Sequence, residues 1–140
     1  MDNYLKPLPL MDGDSAGFWE ACRKHQISIQ KCNNCGTFRF PPRIICPHCS
    51  SLDWEWQPVS GKGKVYTFIV MHQLYNKAFK DELPYNVALI ELEEGAKIWT
   101  NLVNCPNEAI YIGMPVEVVY EDINEQVTLP KFQPQKGKKP

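Results

Sequence analysis

The sequence predicts a mainly β protein built from two parts, a helix with a metal-binding ribbon and then a small antiparallel barrel. The first observation is a pair of Cys-x-x-Cys motifs, at 32–35 and 46–49, with ten residues between them. Two such pairs can bring four thiolates to the corners of a tetrahedron, as a structural zinc site requires. The second observation is a series of about five short apolar segments after residue 60, with no helical pattern between them. This series argues against a parallel α/β sheet and favours an OB-type barrel.

A short amphipathic helix is predicted to begin at Asp14 or Ser15. Phe18, Trp19 and Cys22 would share one face of this helix, while charged side chains would occupy the other.

The segment after the helix is expected to form the ribbon. Ile27 and Ile29 alternate with polar residues, which predicts a strand leading into the first cysteine pair. Pro41 and Pro42 lie midway between the two pairs, where the chain must reverse and a helix is excluded. The expected domains are an extended arm over 1–13, a helix plus zinc ribbon over 14–58, an OB-fold barrel over 59–134 and a disordered tail over 135–140.

The barrel strands are read from apolar segments bounded by turn residues. Glu94-Gly95 is typical of a tight hairpin between the second and third strands, and Gly113 marks a turn before the fourth. The predicted strands are 64–75, 85–92, 97–103, 116–121 and a short piece near Val127.

The predicted zinc ligands are Cys32, Cys35, Cys46 and Cys49. Four protein ligands would leave no open position at which the metal could activate water or a substrate, so one structural zinc is expected. Lys31, Arg39 and Arg43 lie close enough in sequence to offset the negative charge of a zinc with four thiolates. His48 is a rival ligand, but its position between two cysteines favours a bystander role. Three disulfides are the alternative in an oxidising compartment, and the paired spacing argues against them.

The charge and apolar pattern limit the partners and the location. The formal net charge is −1 and the pI is about 6.3, which gives no general attraction to nucleic acid or to anionic membranes. No apolar run approaches the roughly 20 residues of a membrane span. The acidic, proline-broken start lacks the pattern of a signal peptide. A cytoplasmic location is therefore expected, and there thiols stay reduced.

No catalytic residue is predicted. Cys22 lies on the apolar face of the predicted helix, and Cys105 lies in a turn with no histidine near it in sequence. His25 is close to Cys22 in sequence but falls towards the helix end, so neither thiol has an evident base beside it. The chain by itself is not expected to be an enzyme. Whether a base lies beside either thiol in the folded chain is left open by the sequence.

The order of several motifs carries a family resemblance that spans about residues 15–134. CNNCG, FPPR, CPHC and the closing PKFQP occur together, with SGKGKVYTFIVMHQ, LPYNVALIELEEG and IGMPVEVVYE between the ribbon and the end. The chain resembles the zinc-ribbon/OB-fold acyl-CoA-associated proteins, long described as a domain of unknown function. The resemblance implies an N-terminal helical segment, a rubredoxin-like zinc ribbon and a C-terminal OB fold.

The resemblance also implies a function. Proteins of this family act beside thiolase-superfamily enzymes, or sometimes hydratases, that handle CoA thioesters. A non-catalytic accessory subunit is therefore expected, one that stabilises a thiolase-like catalytic partner and helps to form its CoA or acyl-thioester site. Benzoylsuccinyl-CoA thiolysis in anaerobic toluene degradation is the specific reaction expected from the resemblance. The alternative is a single-stranded nucleic-acid binder, because ribbons and OB folds recur there, and the pI argues against it.

Two sets of residues are candidates for these contacts. Arg43, Lys62 and Lys64 could meet the phosphates of CoA, although Gly61 and Gly63 also fit a flexible start to the barrel. Four aromatic residues that flank or follow the ribbon could anchor a protein interface or could pack the ribbon against the barrel. These are Phe38, Phe40, Trp54 and Trp56.

Overall fold

The structure is a computed structural model that describes residues 6–11 and 13–135. The described residues contain one α-helix and eight strands, with short 3-10 helices at Gly13–Ser15, Lys77–Glu82 and Asn107–Ala109. The helix and strands are α1 (Ala16–Arg23), β1 (Ser28–Cys32), β2 (Phe38–Arg39), β3 (Trp54–Pro58), β4 (Lys62–Met71), β5 (Tyr85–Leu92), β6 (Lys97–Thr100), β7 (Pro115–Asp122) and β8 (Thr128–Pro134).

The first sheet is the zinc-ribbon sheet. It has three antiparallel strands in the order β2-β1-β3, and its register places Gln30 opposite both Arg39 and Trp56. The sheet ends at Pro58, and the second sheet begins at Lys62. We propose that the division between residues 58 and 59 expected from the sequence separates the two parts.

The second sheet curls into the predicted OB-type barrel. Its five antiparallel strands follow the order β6-β5-β4-β7-β8, and a bulge between Val65 and Thr67 helps β4 to bend. A parallel bridge between Leu102 and Phe132 brings the two ends of the sheet together. The Val103 N–H donates to the Phe132 carbonyl oxygen at 2.8 Å, and the Phe132 N–H donates to the Asn101 carbonyl oxygen at 3.2 Å. The fold class predicted from the sequence is confirmed.

One hydrophobic core joins the two parts. Helix α1 buries Phe18 and Cys22 in it, as the amphipathic pattern predicted. A Cβ atom at Gly17 would lie 2.4 Å from the Trp56 indole nitrogen, so glycine allows the helix to approach β3 closely. The core draws on the helix, the ribbon and the barrel through Phe18, Cys22, Ile27, Ile29, Ile90, Leu92, Val116 and Phe132.

Three strands differ from their predicted bounds by more than two residues. Strand β4 ends at Met71 rather than at residue 75, because Met71 pairs with Tyr85, the first residue of β5. A 3-10 helix follows, and the Asn76 side chain caps it by accepting a hydrogen bond from the Ala78 N–H. Strand β6 ends at Thr100 rather than at 103, since the chain then leaves β5 to meet β8. Strand β8 is a full seven-residue partner of β7 rather than a short piece, although it contains two prolines.

The predicted arm and tail are described only in part. Residues 6–11 form neither helix nor strand, and the Leu10 carbonyl oxygen accepts a hydrogen bond from the Ser15 hydroxyl. The Gln135 N–H donates to the Pro115 carbonyl oxygen at 3.1 Å. The rest of the predicted tail, 136–140, lies outside the described residues, as do 1–5 and 12 of the predicted arm.

Candidate metal centre and its surroundings

The structure brings the four predicted cysteine ligands together. All four Sγ atoms lie within 4.8 Å of one another, with 3.6 Å between Cys32 and Cys49 and 3.7 Å between Cys35 and Cys46. A tetrahedral zinc with Zn–S bonds of about 2.3 Å requires Sγ atoms about 3.8 Å apart. The donor set and its spacing therefore fit Zn²⁺, and no position is left for a substrate ligand.

Turns of the backbone hold the thiols in place. The Gly36 N–H donates to the Cys32 carbonyl oxygen at 2.9 Å, and the Ser50 N–H donates to the Cys46 carbonyl oxygen at 2.9 Å. Gly36 has a φ of +77°, in the left-handed region that favours glycine, and Ser50 adopts the matching left-handed conformation after the second pair. The two knuckles are therefore built alike.

Hydrogen bonds favour thiolates in the first knuckle. The backbone N–H of Cys35 points at the Cys32 sulfur and is the largest cause that lowers the pKa of Cys32 to about 6. The Thr37 hydroxyl, 3.2 Å from the Cys35 sulfur, lowers the pKa of that thiol. Deprotonated sulfur is the form that binds metal.

Arg39, one of the predicted counter-charges, is buried within the ribbon, on β2. Its Nε donates to the Gln30 side-chain oxygen at 2.9 Å, and a second guanidinium nitrogen donates to the Arg43 carbonyl oxygen at 2.8 Å. Its guanidinium lies 5.6 Å from the centre of the Trp54 ring. These contacts tie the reversal between the knuckles to β1 and β3.

The four candidate interface aromatics are all half-buried. Phe38, Phe40 and Trp56 pack against the shared core, and the Phe40 ring lies 5.0 Å from the Phe18 ring. Trp54 packs edge-on against Trp56 at 5.4 Å. These contacts support the packing interpretation, and the interface role of these residues remains a proposal.

The three candidate CoA residues lie in two places, Arg43 in the ribbon and Lys62 and Lys64 on β4. Arg43 is exposed in the ribbon, where its N–H donates to the Gln30 side chain at 2.8 Å. Lys62 and Lys64 are exposed at the start of β4, and the Lys64 ammonium lies 3.7 Å from the Glu91 carboxylate. Lys64 also lines an open cavity of about 550 Å³ whose other charged side chains are Glu91 and Glu93. This carboxylate pair weakens the positive field that a phosphate group would meet there.

The remaining thiols sit in environments that oppose reactivity. Burial raises the pKa of Cys22 to about 12 and also raises the pKa of Cys105. Both are thus protonated at neutral pH, whereas a nucleophilic cysteine acts as a thiolate.

Sequence reasoning missed a polar cluster that joins the end of α1 to the barrel. The His25 Nε2 lies 2.9 and 3.0 Å from the two Asp122 carboxylate oxygens, and its ring stacks on Tyr120 at 4.8 Å. The Thr128 hydroxyl donates to the Asp122 carboxylate at 2.6 Å. His25 and Asp122 are 97 positions apart, so no local pattern reveals the contact.

This cluster predicts an acid-dependent contribution to stability. The Thr128 hydroxyl, and then His25, hold the pKa of Asp122 below its ordinary value. A lowered pKa in the folded state stabilises the protein above the unfolded-state pKa of about 4, and the contribution is lost as the pH falls through the folded value. We expect Asp122→Asn to be less stable than the wild type at pH 6, with the difference shrinking below about pH 4.

Urea unfolding of both proteins across this pH range measures that difference. Acid also releases metal from thiolates, so zinc content is measured at each pH and only the pH values at which both proteins keep their metal are compared. Glu125→Gln, in the exposed turn before β8, controls for the loss of one negative charge. A constant gap between wild type and Asp122→Asn from pH 6 to pH 3 would contradict the assignment.

The fold and the metal centre define a class, the two-part zinc-ribbon and OB-fold proteins. Residues 19–55 match the family model "ChsH2, rubredoxin-like zinc ribbon domain", and residues 56–121 match "ChsH2, C-terminal OB-fold domain". The chain is 50% identical over 96 residues to a DUF35 domain-containing scaffold protein of Methanocaldococcus jannaschii, covering 68% of this chain and 67% of that protein. The chain therefore belongs to the ChsH2/DUF35 family of zinc-ribbon and OB-fold proteins, and the zinc-ribbon match with the four-cysteine cluster supports a structural zinc.

Other relatives carry enzyme names. A probable enoyl-CoA hydratase alpha subunit of Thermomonospora curvata is 43% identical over 130 residues, which is 93% of this chain but 40% of that protein. Benzoylsuccinyl-CoA thiolase subunit BbsA of Thauera aromatica is 32% identical over 76 residues, covering 54% of this chain and 51% of that protein. A chain in the solved structure of the Ltp2-ChsH2(DUF35) aldolase superimposes with a TM-score of 0.81 at 43% identity, covering 90% of this chain and 98% of that chain.

Among the residues that the structure describes, no helix has both the length and the apolar character needed to cross a bilayer.

Proposed function

We propose that the chain is a non-catalytic accessory subunit of an acyl-CoA enzyme complex. The observation that carries the proposal is the likeness to the aldolase chain, because it extends over 98% of that chain at 43% identity. Relatives named as a hydratase subunit, a scaffold protein and a thiolase subunit support the same role. The described residues of this chain add a closed metal centre and two protonated thiols, which suit a scaffold better than a catalyst.

The metal serves the fold in this proposal. Bound zinc would hold the two knuckles together through Cys32, Cys35, Cys46 and Cys49. The shared core then fixes the ribbon and helix against the barrel, which presents a rigid surface to a larger subunit. A reducing cytoplasm would keep these thiols available for zinc.

We propose further that the partner is a thiolase-superfamily subunit that supplies the nucleophile and the acid/base groups. The similarity to BbsA supports this class, and benzoylsuccinyl-CoA thiolysis in toluene degradation is its narrowest form. CoA would lie at or near the interface, with Arg43, Lys62 and Lys64 as candidate phosphate contacts. Because the Lys64 ammonium lies beside the Glu91 carboxylate, we expect Arg43, Lys62 or the partner to provide most of any phosphate binding.

Affinity purification of the tagged full chain from its native cells tests the proposal. We expect a thiolase-superfamily protein to co-purify in a fixed ratio, with acyl-CoA turnover by the complex and none by the chain alone. Recovery of a hydratase or an aldolase instead would refute the thiolase partner and leave the accessory role standing. Recovery of the chain alone, or turnover by the isolated chain, would contradict the accessory role itself.

The nucleic-acid alternative has one favourable observation. Tyr66 and Trp99 are exposed on the outer surface of an OB barrel, where bases stack in single-strand binders. Single-strand binders also have a basic groove beside these rings, whereas here Lys64 and Lys97 flank the acidic Glu91 in one cross-strand row. Oligonucleotide binding that weakens steeply with salt would revive this alternative.

A further inference from the structure

The outer surface of the barrel carries apolar side chains where a solvated sheet would carry polar ones. Antiparallel sheets with one face in water alternate apolar and polar residues along each strand. In β5 the side chains at 86, 88, 90 and 92 are buried, yet the alternate positions still include Val87 and Leu89. Neighbouring strands add Tyr66, Ile69 and Trp99, each at least half exposed. We call these five residues the outer apolar face.

The five residues are neighbours across three strands. Leu89 lies opposite Trp99 on β6, and Val87 lies opposite Ile69 on β4. Tyr66 sits in the bulge of β4, and its ring lies 4.8 Å from the Lys97 ammonium on β6. The outer apolar face is therefore one continuous patch rather than a set of isolated side chains.

A hollow at the junction of helix, ribbon and barrel continues this patch at Trp99. The hollow has a volume of about 230 Å³, and its lining is mostly apolar. An apolar cavity of about 150 Å³ can hold a benzene ring, so the hollow has room for one large apolar side chain. Six of its lining residues are Phe18, Trp19, Phe40, Trp99, Leu129 and Pro130.

The size of the patch decides between a second copy of the chain and a larger protein. Three strands about 4.8 Å apart, over five residues of about 3.4 Å each, give a footprint of roughly 250 Å². A stable interface buries about 800 Å² on each partner. Two copies stacked face to face would fall well short of this, whereas a larger subunit can cover the face and also reach the hollow and α1.

The charges at the border of the face favour a partner of low local charge. Lys97, Glu91 and Lys64 form one cross-strand row beside the apolar residues. Alternating signs in that row neither attract a polyanion nor repel an apolar protein surface.

We propose that the outer apolar face and the adjoining hollow are the docking surface for the catalytic subunit, which places an apolar side chain in the hollow. This inference rests on the proposed accessory function and specifies the surface that performs it. Trp99, 57% exposed at the border of both features, is the central anchor.

Variants that place a charge on the outer apolar face, used in the affinity purification described above, test the docking surface. Ile69→Lys should reduce binding of the acyl-CoA enzyme at least tenfold, and Trp99→Ala should do so by a similar factor. Ile44→Lys is the matched control, because Ile44 is 57% exposed against 52% for Ile69 but lies on the ribbon beside the second knuckle. It should change binding less than about twofold, and circular dichroism should show all three variants folded.

The possible results separate the surface from the function. If the wild-type chain recovers the enzyme and Ile69→Lys recovers as much, the docking surface is refuted while the accessory role stands. Equal or greater loss with Ile44→Lys places the interface on the ribbon and also overturns the inference. If the wild-type chain recovers no enzyme, photo-crosslinkers at positions 69 and 44 are used in cells, and the proposed function fails if neither position captures an acyl-CoA enzyme. A crosslink from 69, but not from 44, to an acyl-CoA enzyme would support the inference; a crosslink to a second copy, or none, would overturn it.

Discussion

Cys32→Ser and Cys49→Ser are each expected to yield a chain that does not accumulate as soluble folded protein. Each change removes one of four sulfurs that lie within 4.8 Å of one another and hold the two knuckles together. Zinc binding contributes on the order of 10 kcal/mol to the folding of small ribbons, which exceeds the total stability of many domains of this size. Soluble yield, zinc content by mass spectrometry and circular dichroism measure the effect.

Cys105→Ser is the matched control, because it removes a thiol outside the cluster and retains the four ligands. It should keep one zinc per chain and the wild-type spectrum. A Cys32→Ser protein that stays folded without metal would defeat the structural role of the site.

Phe132→Ala is expected to cost about 3–5 kcal/mol of unfolding free energy, a large fraction of the total stability of a domain of this size. Phe132 has no solvent exposure, lies in the shared core and provides the backbone groups that bridge β8 to the chain after β6. Removal of its ring leaves a cavity where the barrel closes. Urea unfolding, monitored by tryptophan fluorescence, measures the change.

Tyr66→Ala gives a comparison within the same sheet. Its ring is half exposed on the outer surface, so its loss should cost less than about 1 kcal/mol. If Phe132→Ala and Tyr66→Ala lower the free energy of unfolding equally, packing of the Phe132 ring in the core does not stabilise the bridge between Leu102 and Phe132.

The metal centre was predictable because its information is local. Two cysteine pairs and the residues between them determine a ribbon whose ligand geometry follows from the metal, and the structure places all four sulfurs accordingly. The helix was predictable for a similar reason, since Phe18 and Cys22 repeat with helical spacing and are both buried. Strand β5 matched its predicted bounds, because buried and half-buried positions alternate along its whole length.

The remaining features depend on contacts between distant residues. The length of strand β8 was underestimated, because Pro130 and Pro134 are residues that disfavour strands in the local sequence. Its hydrogen-bonded pairing with β7 holds the segment extended in spite of them. The contact of His25 with Asp122 requires the folded barrel. The outer apolar face was not predicted from the sequence either. Apolar residues on both faces of β4 and β5 indicate strands, but only the register shows which of these residues point outwards.

The parallel bridge between Leu102 and Phe132 has a consequence for the order of folding. Contacts within the first knuckle join residues close in sequence, as between Lys31 and Phe38, so their closure entropy is small and they form early. Barrel closure instead depends on the pairing of β4 with β7, whose opposite residues, such as Lys62 and Glu117, lie more than 50 positions apart. The bridge from Phe132 to Leu102 then completes the barrel and must displace water from the core. We therefore expect barrel closure to limit the folding rate and Phe132 to be native-like only after the transition state. Until then, the apolar strands β4 and β5 can pair wrongly. Early pairing of β1 with β2 reduces the number of other segments with which they could do so.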